Sequence, residues 1–174
     1  NAVSEFIDFD AQLTKIRQVT GQSLENTKAL GDEVGRLAIK YGVSSSSILE
    51  TSQVLAQAGF STGQVREALE ALTKTEIAAT FDNIENTVEG AVAAMAQFNL
   101  KTSDLEATLG SINAVSAAFA VESSDITTAI QKAGGAFASA GGNLNELIGL
   151  FTTVRSTTRE SADTVAVGIR TITT

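Results

Sequence analysis

The stretch Gly141-Gly142-Asn143-Leu144-Asn145-Glu146-Leu147-Ile148-Gly149-Leu150-Phe151-Thr152-Thr153-Val154 decides the fold class. Leu144, Leu147, Ile148, Phe151 and Val154 recur at steps of three and four, the spacing that draws one apolar stripe along a helix. The glycine pair stops whatever precedes it. Asn143 followed by Glu146 is a capping-box signature, in which each side chain satisfies an amide that the first helical turn leaves open.

The same grammar extends in both directions. Towards the N-terminus, Phe6, Phe9, Leu13 and Ile16 mark a helix that Ser4 can cap and Gly21 can end. Leu30, Val34, Leu37 and Tyr41 follow behind Ser23 and close at Gly42; Ile48, Leu55 and Ala58 follow behind Ser44 to Ser47 and close at Gly59. Phe60-Ser61-Thr62-Gly63 reads as a turn into Val65, Leu69 and Leu72, with a break expected near Thr73 to Thr75. Beyond Asp82 come Ile84, Val88, Val92 and Met95 up to Phe98, and then Leu105, Leu109, Ile112 and Phe119 behind a Ser103/Glu106 capping box. Ser123 or Ser124 starts a helix carrying Ile126, Ile130, Ala133 and Phe137, with a bend expected at Gly134-Gly135. Ser161 opens a last segment with Val165, Ile169 and Ile172. The expectation is all-α: an irregular array or bundle of eight or nine short amphipathic helices joined by Gly/Ser turns.

Composition agrees. The 174 residues include no proline, where a chain of this length ordinarily carries about eight. Helices therefore run without their strongest breaker, and the abundance of Ala, Gly, Ser and Thr lets them approach through small faces. Length and apolar content suit a single helical module, residues 1–174, and the sequence reads as a fragment of a much longer chain. Val43-Ser44-Ser45-Ser46-Ser47-Ile48 is echoed by Val121-Glu122-Ser123-Ser124-Asp125-Ile126, and Gln53 by Gln131. The echo reads as a helix-turn-helix duplication, 43–72 and 121–154, of a kind that small-residue helices also produce by chance.

The chemical inventory is thin. With no His, Cys or Trp, the usual imidazole and thiolate metal ligands, the thiol nucleophile and the common proton shuttle are missing. No glycine pair is followed by a phosphate-reaching Lys, so Gly134-Gly135 and Gly141-Gly142 read as turns. Asp8/Asp10, Asp32/Glu33, Glu67/Glu70 and Glu85/Glu89 are paired carboxylates. Glu67 and Glu70 fall on the polar side of the Val65, Leu69, Leu72 stripe and read as solvated surface, lacking the cleft that keeps a catalytic acid protonated. The Asp8 start lacks the Gly and closing Glu of a calcium loop. Phe6, Phe9, Phe119, Phe137 and Phe151 sit in stripes and read as core, and Phe60 as the apolar contact closing a helix end. No catalytic, cofactor-binding or metal-binding residue is expected, no cofactor, and no enzyme. A net charge of −8 and a pI near 4.5 argue against tight nucleic-acid binding. The longest uncharged stretch, Ala107 to Val121, is too short and polar to span a bilayer.

The order of these segments resembles the shared region of phage tail tape measure proteins. The residues that carry the likeness are Phe9-Asp10-Ala11-Gln12-Leu13, Ala56-Gln57-Ala58-Gly59-Phe60-Ser61, Phe98-Asn99-Leu100, the serine-capped helix after Val121, and Ala140-Gly141-Gly142-Asn143-Leu144-Asn145-Glu146-Leu147, ending in Gly168-Ile169-Arg170-Thr171. Relatives lead into the last helix through arginine and small residues; here Arg155, Ser156, Thr157, Thr158 and Arg159 hold that place without a glycine. The resemblance implies a non-enzymatic structural protein inside the tail tube, assembled in the host cytoplasm, whose length templates tube polymerisation and which leaves ahead of the DNA. The partners it implies are copies of itself, the tail tube protein, tail assembly chaperones and tail tip proteins. A flagellin-like or other secreted helical filament protein is the alternative; it needs long terminal heptads, which the glycine stops interrupt.

Overall fold

The computed structural model describes the backbone of residues 2–76 and 84–174 and the side chains of residues 8–75 and 85–174. The described residues form nine α-helices and no strand, as the stripe periodicity requires. They gather into two compact units, Asn1–Ile77 and Ala78–Thr174.

The first unit holds α1 (Ala2–Thr20), α2 (Leu24–Tyr41), α3 (Ser45–Gln57) and α4 (Thr62–Glu76). Helix α1 packs on α3, α2 on α4, and consecutive helices on each other. Ile16, Leu30, Val34, Leu37, Ile48, Leu55, Val65, Leu69 and Leu72 are all buried. The Ser23 hydroxyl caps α2 by accepting from the Asn26 amide at 3.2 Å, and Gly42 ends the helix at φ +68°. Helix α1 already runs from Ala2, so Ser4 lies inside it rather than at its cap; the side chain of Phe6 is outside the described residues. Helix α4 continues unbroken through Thr73 and Thr75, whose hydroxyls each fold back onto the carbonyl one turn earlier, at 2.7 and 2.8 Å, and so find a partner within the helix.

The second unit holds α5 (Ile84–Phe98), a 3₁₀ turn (Thr102–Asp104), α6 (Leu105–Phe119), α7 (Ser123–Ser139), α8 (Leu144–Thr158) and α9 (Ala162–Ile172). Helix α7 is its hub, packed by α5, α6, α8 and α9. One continuous apolar core joins Ala94, Ile112, Ile126, Ile130, Leu147, Phe151, Val165 and Ile169. Gly134-Gly135 neither turn nor break α7. Gly134 is under the side chains of Gln97 and Phe98, and Gly90 of α5 sits against Thr127 of α7, so glycine serves here as the contact between two helices. Both contacts span the same separation in sequence, hence α5 and α7 run parallel with α6 returning between them.

The reciprocal Asn143/Glu146 box forms, both bonds at 2.9 Å, and Ser161 caps α9. The Ser103/Glu106 box does not. Ser103 lies within the 3₁₀ turn, and the Asp104 carboxylate accepts from the Lys101 amide at 2.9 Å instead. Phe119 and Ile172, read as core, are 55% and 76% exposed. Each sits in the last turn of its helix, where the stripe outruns the neighbour it packs on. Phe151 is fully buried, and Phe137 is half-buried against the core and over Gly142.

Many buried hydroxyls are satisfied within their own helix: Thr51, Ser52, Thr73, Thr75, Thr108 and Thr127 each donate to a carbonyl three or four residues back. Those of Thr62, Ser123 and Thr152 have no partner.

Candidate functional site

The paired acids do not converge. Asp8, Asp10, Asp32, Glu67, Glu85 and Glu89 are exposed, each on the polar side of its helix. Among the described residues no three His, Cys, Asp or Glu side chains come together as a metal site, and no described helix is long and apolar enough to cross a membrane.

Glu33, held by Arg36, and above all Glu70 are the exceptions within these pairs, and periodicity alone misses the role of Glu70. It leaves Glu67 to the solvent and joins α4 to the C-terminal end of α2: Lys40 Nζ and the Tyr41 hydroxyl donate to its Oε1 at 2.6 and 2.7 Å. Arg36 Nη2 lies 3.7 Å from its Oε2, while the Arg36 guanidinium grips Glu33 with two bonds of 2.6 and 2.9 Å. The Lys40 and Tyr41 donors hold the Glu70 carboxyl down to about 2, and the hydrogen bond from Arg36 lowers that of Glu33. In return the bond to Glu70 raises the Lys40 ammonium. With every carboxylate in it engaged by a cation or a phenol, the cluster clamps two helices and offers no base to a substrate. Its sequence signal was faint, since Tyr41 and Glu70 are 29 residues apart.

A second bridge joins the start of α7 to the end of α8. Arg155 Nε donates to Asp125 Oδ2 at 3.1 Å, with both side chains more than two-thirds buried. Asp125 lies in the first turn of its helix and Arg155 in the last turn of its own, so both charges also favour the local helix dipole. Lys132 meets Asp163 at 2.7 Å and ties α7 to α9. Arg159, in the segment without a glycine, takes the left-handed conformation at φ +58° and ends α8 as glycine would.

Two surface hollows complete the first unit. One of about 330 Å³ is lined by Asp8, Phe9 and Ser44 to Ser46; the other, of about 280 Å³, lies between α1 and α2 and is lined by Asp10, Leu13, Arg17, Leu24 and Lys28. The first sets the Asp8 carboxylate beside the hydroxyls of Ser44 to Ser46, and the second sets Asp10 with Arg17 and Lys28. Exposed apolar side chains stand on both units: Val19, Leu24 and Ile39 on the first, Phe119, Leu150, Val167 and Ile172 on the second.

No solved structure matches the chain. The family described as phage-related minor tail protein matches residues 19–174 and so takes in eight of the nine helices in full, with the last residues of α1. All-helical, held by caps, small-residue contacts and ion pairs, and matched along nearly its whole length, this chain belongs to the phage-related minor tail protein family.

Proposed function

We propose that this chain is part of a tape measure protein: a non-enzymatic component of the phage tail that sets tube length during assembly, lies inside the tube, and leaves ahead of the DNA. The family membership makes it a structural component of a phage tail. The single observation that carries the finer reading is the order of its segments, from the Ala56–Ser61 turn to the Gly141–Leu147 turn and helix and the Gly168–Thr171 ending.

Two physical features support it. A helix rises about 1.5 Å per residue, and recurrent glycine stops divide this region into helices of 11 to 19 residues, so no single helix in it acts as a long ruler. The acidic surface, at a net charge of −8, repels passing DNA, which suits a protein that shares a lumen with it. Its partners on this reading are copies of itself, the tail tube protein, tail assembly chaperones and tail tip proteins.

Quantitative mass spectrometry of purified particles before and after triggered DNA ejection tests the proposal. Peptides from residues 1–174 are expected in full particles and depleted from spent tails. Their complete retention in spent tails overturns the tape measure reading and leaves family membership intact.

A further inference from the structure

We propose that the chain contains two copies of a single four-helix unit, α1–α4 and α5–α8, with α9 an addition that has no counterpart in the first. The inference is independent of the tail assignment. It enlarges the hairpin echo around Val43 and Val121 into a repeat of the whole unit.

The turns carry it. Gly21, which ends α1 at φ +64°, corresponds to Asn99 at φ +53°, and Gly42, which ends α2 at φ +68°, to Ala120 at φ +51°. Each pair is 78 residues apart, as are Ser44 and Glu122, the N-caps of α3 and α7. Asn99 and Ala120 are not glycines. Asn takes the left-handed region with little penalty but Ala does not, so the conformation of Ala120 reflects the architecture that surrounds it and no bias of composition towards glycine.

From the end of the third helix the separation becomes 82, because α7 has 17 residues where α3 has 13, one helical turn more. The two hairpin turns then match bond for bond. Ala58 and Gly59 donate to Val54 and Ala56, and Phe60 to Leu55; Ala140 and Gly141 donate to Ala136 and Ala138, and Gly142 to Phe137. Gly59 and Gly141 stand at φ +93° and +91°. Reciprocal capping boxes follow, Ser61 with Gln64 and Asn143 with Glu146.

Packing follows the same order. The first helix lies on the third and the second on the fourth in both units. Val34 and Ile112, Ile48 and Ile126, and Leu69 and Phe151 are corresponding residues and all are buried. The copies differ where α2 meets α4: the Tyr41–Glu70 bond corresponds to Phe119 and Thr152, an exposed phenyl and a buried hydroxyl with no partner.

Exchange of hairpins tests the repeat. In the full chain, residues 44–76 are replaced by a second copy of 122–158, and in a control by 83–119, which carries helices of the wrong order. The corresponding exchange is expected to keep the parent's helical circular dichroism and a cooperative thermal transition, while the control loses that transition. Equal loss in both, or better retention in the control, overturns the proposal. A crystal structure of the parent chain gives a second reading that needs no variant: α5–α8 must superpose on α1–α4 in chain order with the extra turn in α7, and a different packing order or hand overturns it.

Discussion

Gly90→Ala should destabilise the protein, although alanine is the better helix former. At an open position within a helix, the exchange gains up to about 1 kcal/mol, because glycine loses more backbone freedom on folding. At Gly90 an added Cβ would stand 2.6 Å from Thr127 Cβ and 2.7 Å from its Cγ2, with the Thr127 Cα at 3.4 Å. The Thr127 Cβ is fixed by the α7 backbone whatever the rotamer, so turning the side chain can clear Cγ2 but not Cβ, and the helices must separate. Overpacking of this kind costs about 1–3 kcal/mol; set against the propensity gain, it leaves a net loss of up to roughly 2 kcal/mol. Gly110→Ala and Gly149→Ala are the matched controls within the same unit, since an added Cβ meets nothing within 4 Å at either position. They should gain stability, so one chemical change acquires opposite signs. Thermal unfolding followed by circular dichroism reads both, at a few degrees per kcal/mol. A Gly90→Ala variant as stable as the parent would show that α5 and α7 do not touch at this point.

Four further outcomes follow from the same structure. Arg159→Gly and Ala120→Gly should each raise stability by about 1 kcal/mol in urea unfolding, because both residues occupy left-handed backbone at φ +58° and +51°; a loss at either would contradict the assigned conformation. Glu70→Gln should cost no more than about 1 kcal/mol at pH 7, its side chain being 36% exposed and screened. Since its carboxyl is lowered from 4.5 to about 2, its contribution is complete above pH 4.5 and lost as pH falls towards 2; the parent and variant melting curves should therefore converge in acid, and a gap that persists at pH 2 would rule out the clamp. Phe151→Ala should cost about 3–5 kcal/mol by leaving a cavity in the core of the second unit, and hydrogen exchange should quicken across α6–α9. A double-mutant cycle on Asp125 and Arg155 should return a favourable coupling of at least about 0.5 kcal/mol, and zero coupling would make the bridge incidental.

What the sequence makes legible is whatever it encodes within a turn or two of helix. The Asn143/Glu146 box and the stops at Gly21, Gly42 and Gly59 are local hydrogen-bond problems with local answers, and they stand where the residues place them. Local signals mislead where two compete. Ser103 and Glu106 fit a capping box as well as Asn143 and Glu146 do, yet the Asp104 carboxylate reaches the Lys101 amide and the chain tightens into a 3₁₀ turn first. Periodicity assigns a face but not an end, which is why Phe119 and Ile172 continue their stripes into solvent. Gly134 illustrates the opposite error: a residue expected to bend its helix is there because Gln97 and Phe98 lie across it, and a contact between helices leaves no mark within one. The Glu70 clamp was hidden for the same reason, since its two cations and its phenol come from the facing helix.

Because Thr51, Ser52, Thr73, Thr75, Thr108 and Thr127 turn their hydroxyls onto their own backbone, these six buried donors ask nothing of a neighbouring helix. Sliding such a rod past its neighbour forfeits dispersion contacts and strands none of these six donors; the discrete bonds at stake are the few that cross between helices, from Lys40 and Tyr41 to Glu70, Arg155 to Asp125 and Lys132 to Asp163. Such a bundle is pinned at a handful of ion pairs and held elsewhere by shape alone, so away from those pins a small displacement of one helix costs contacts and no bond.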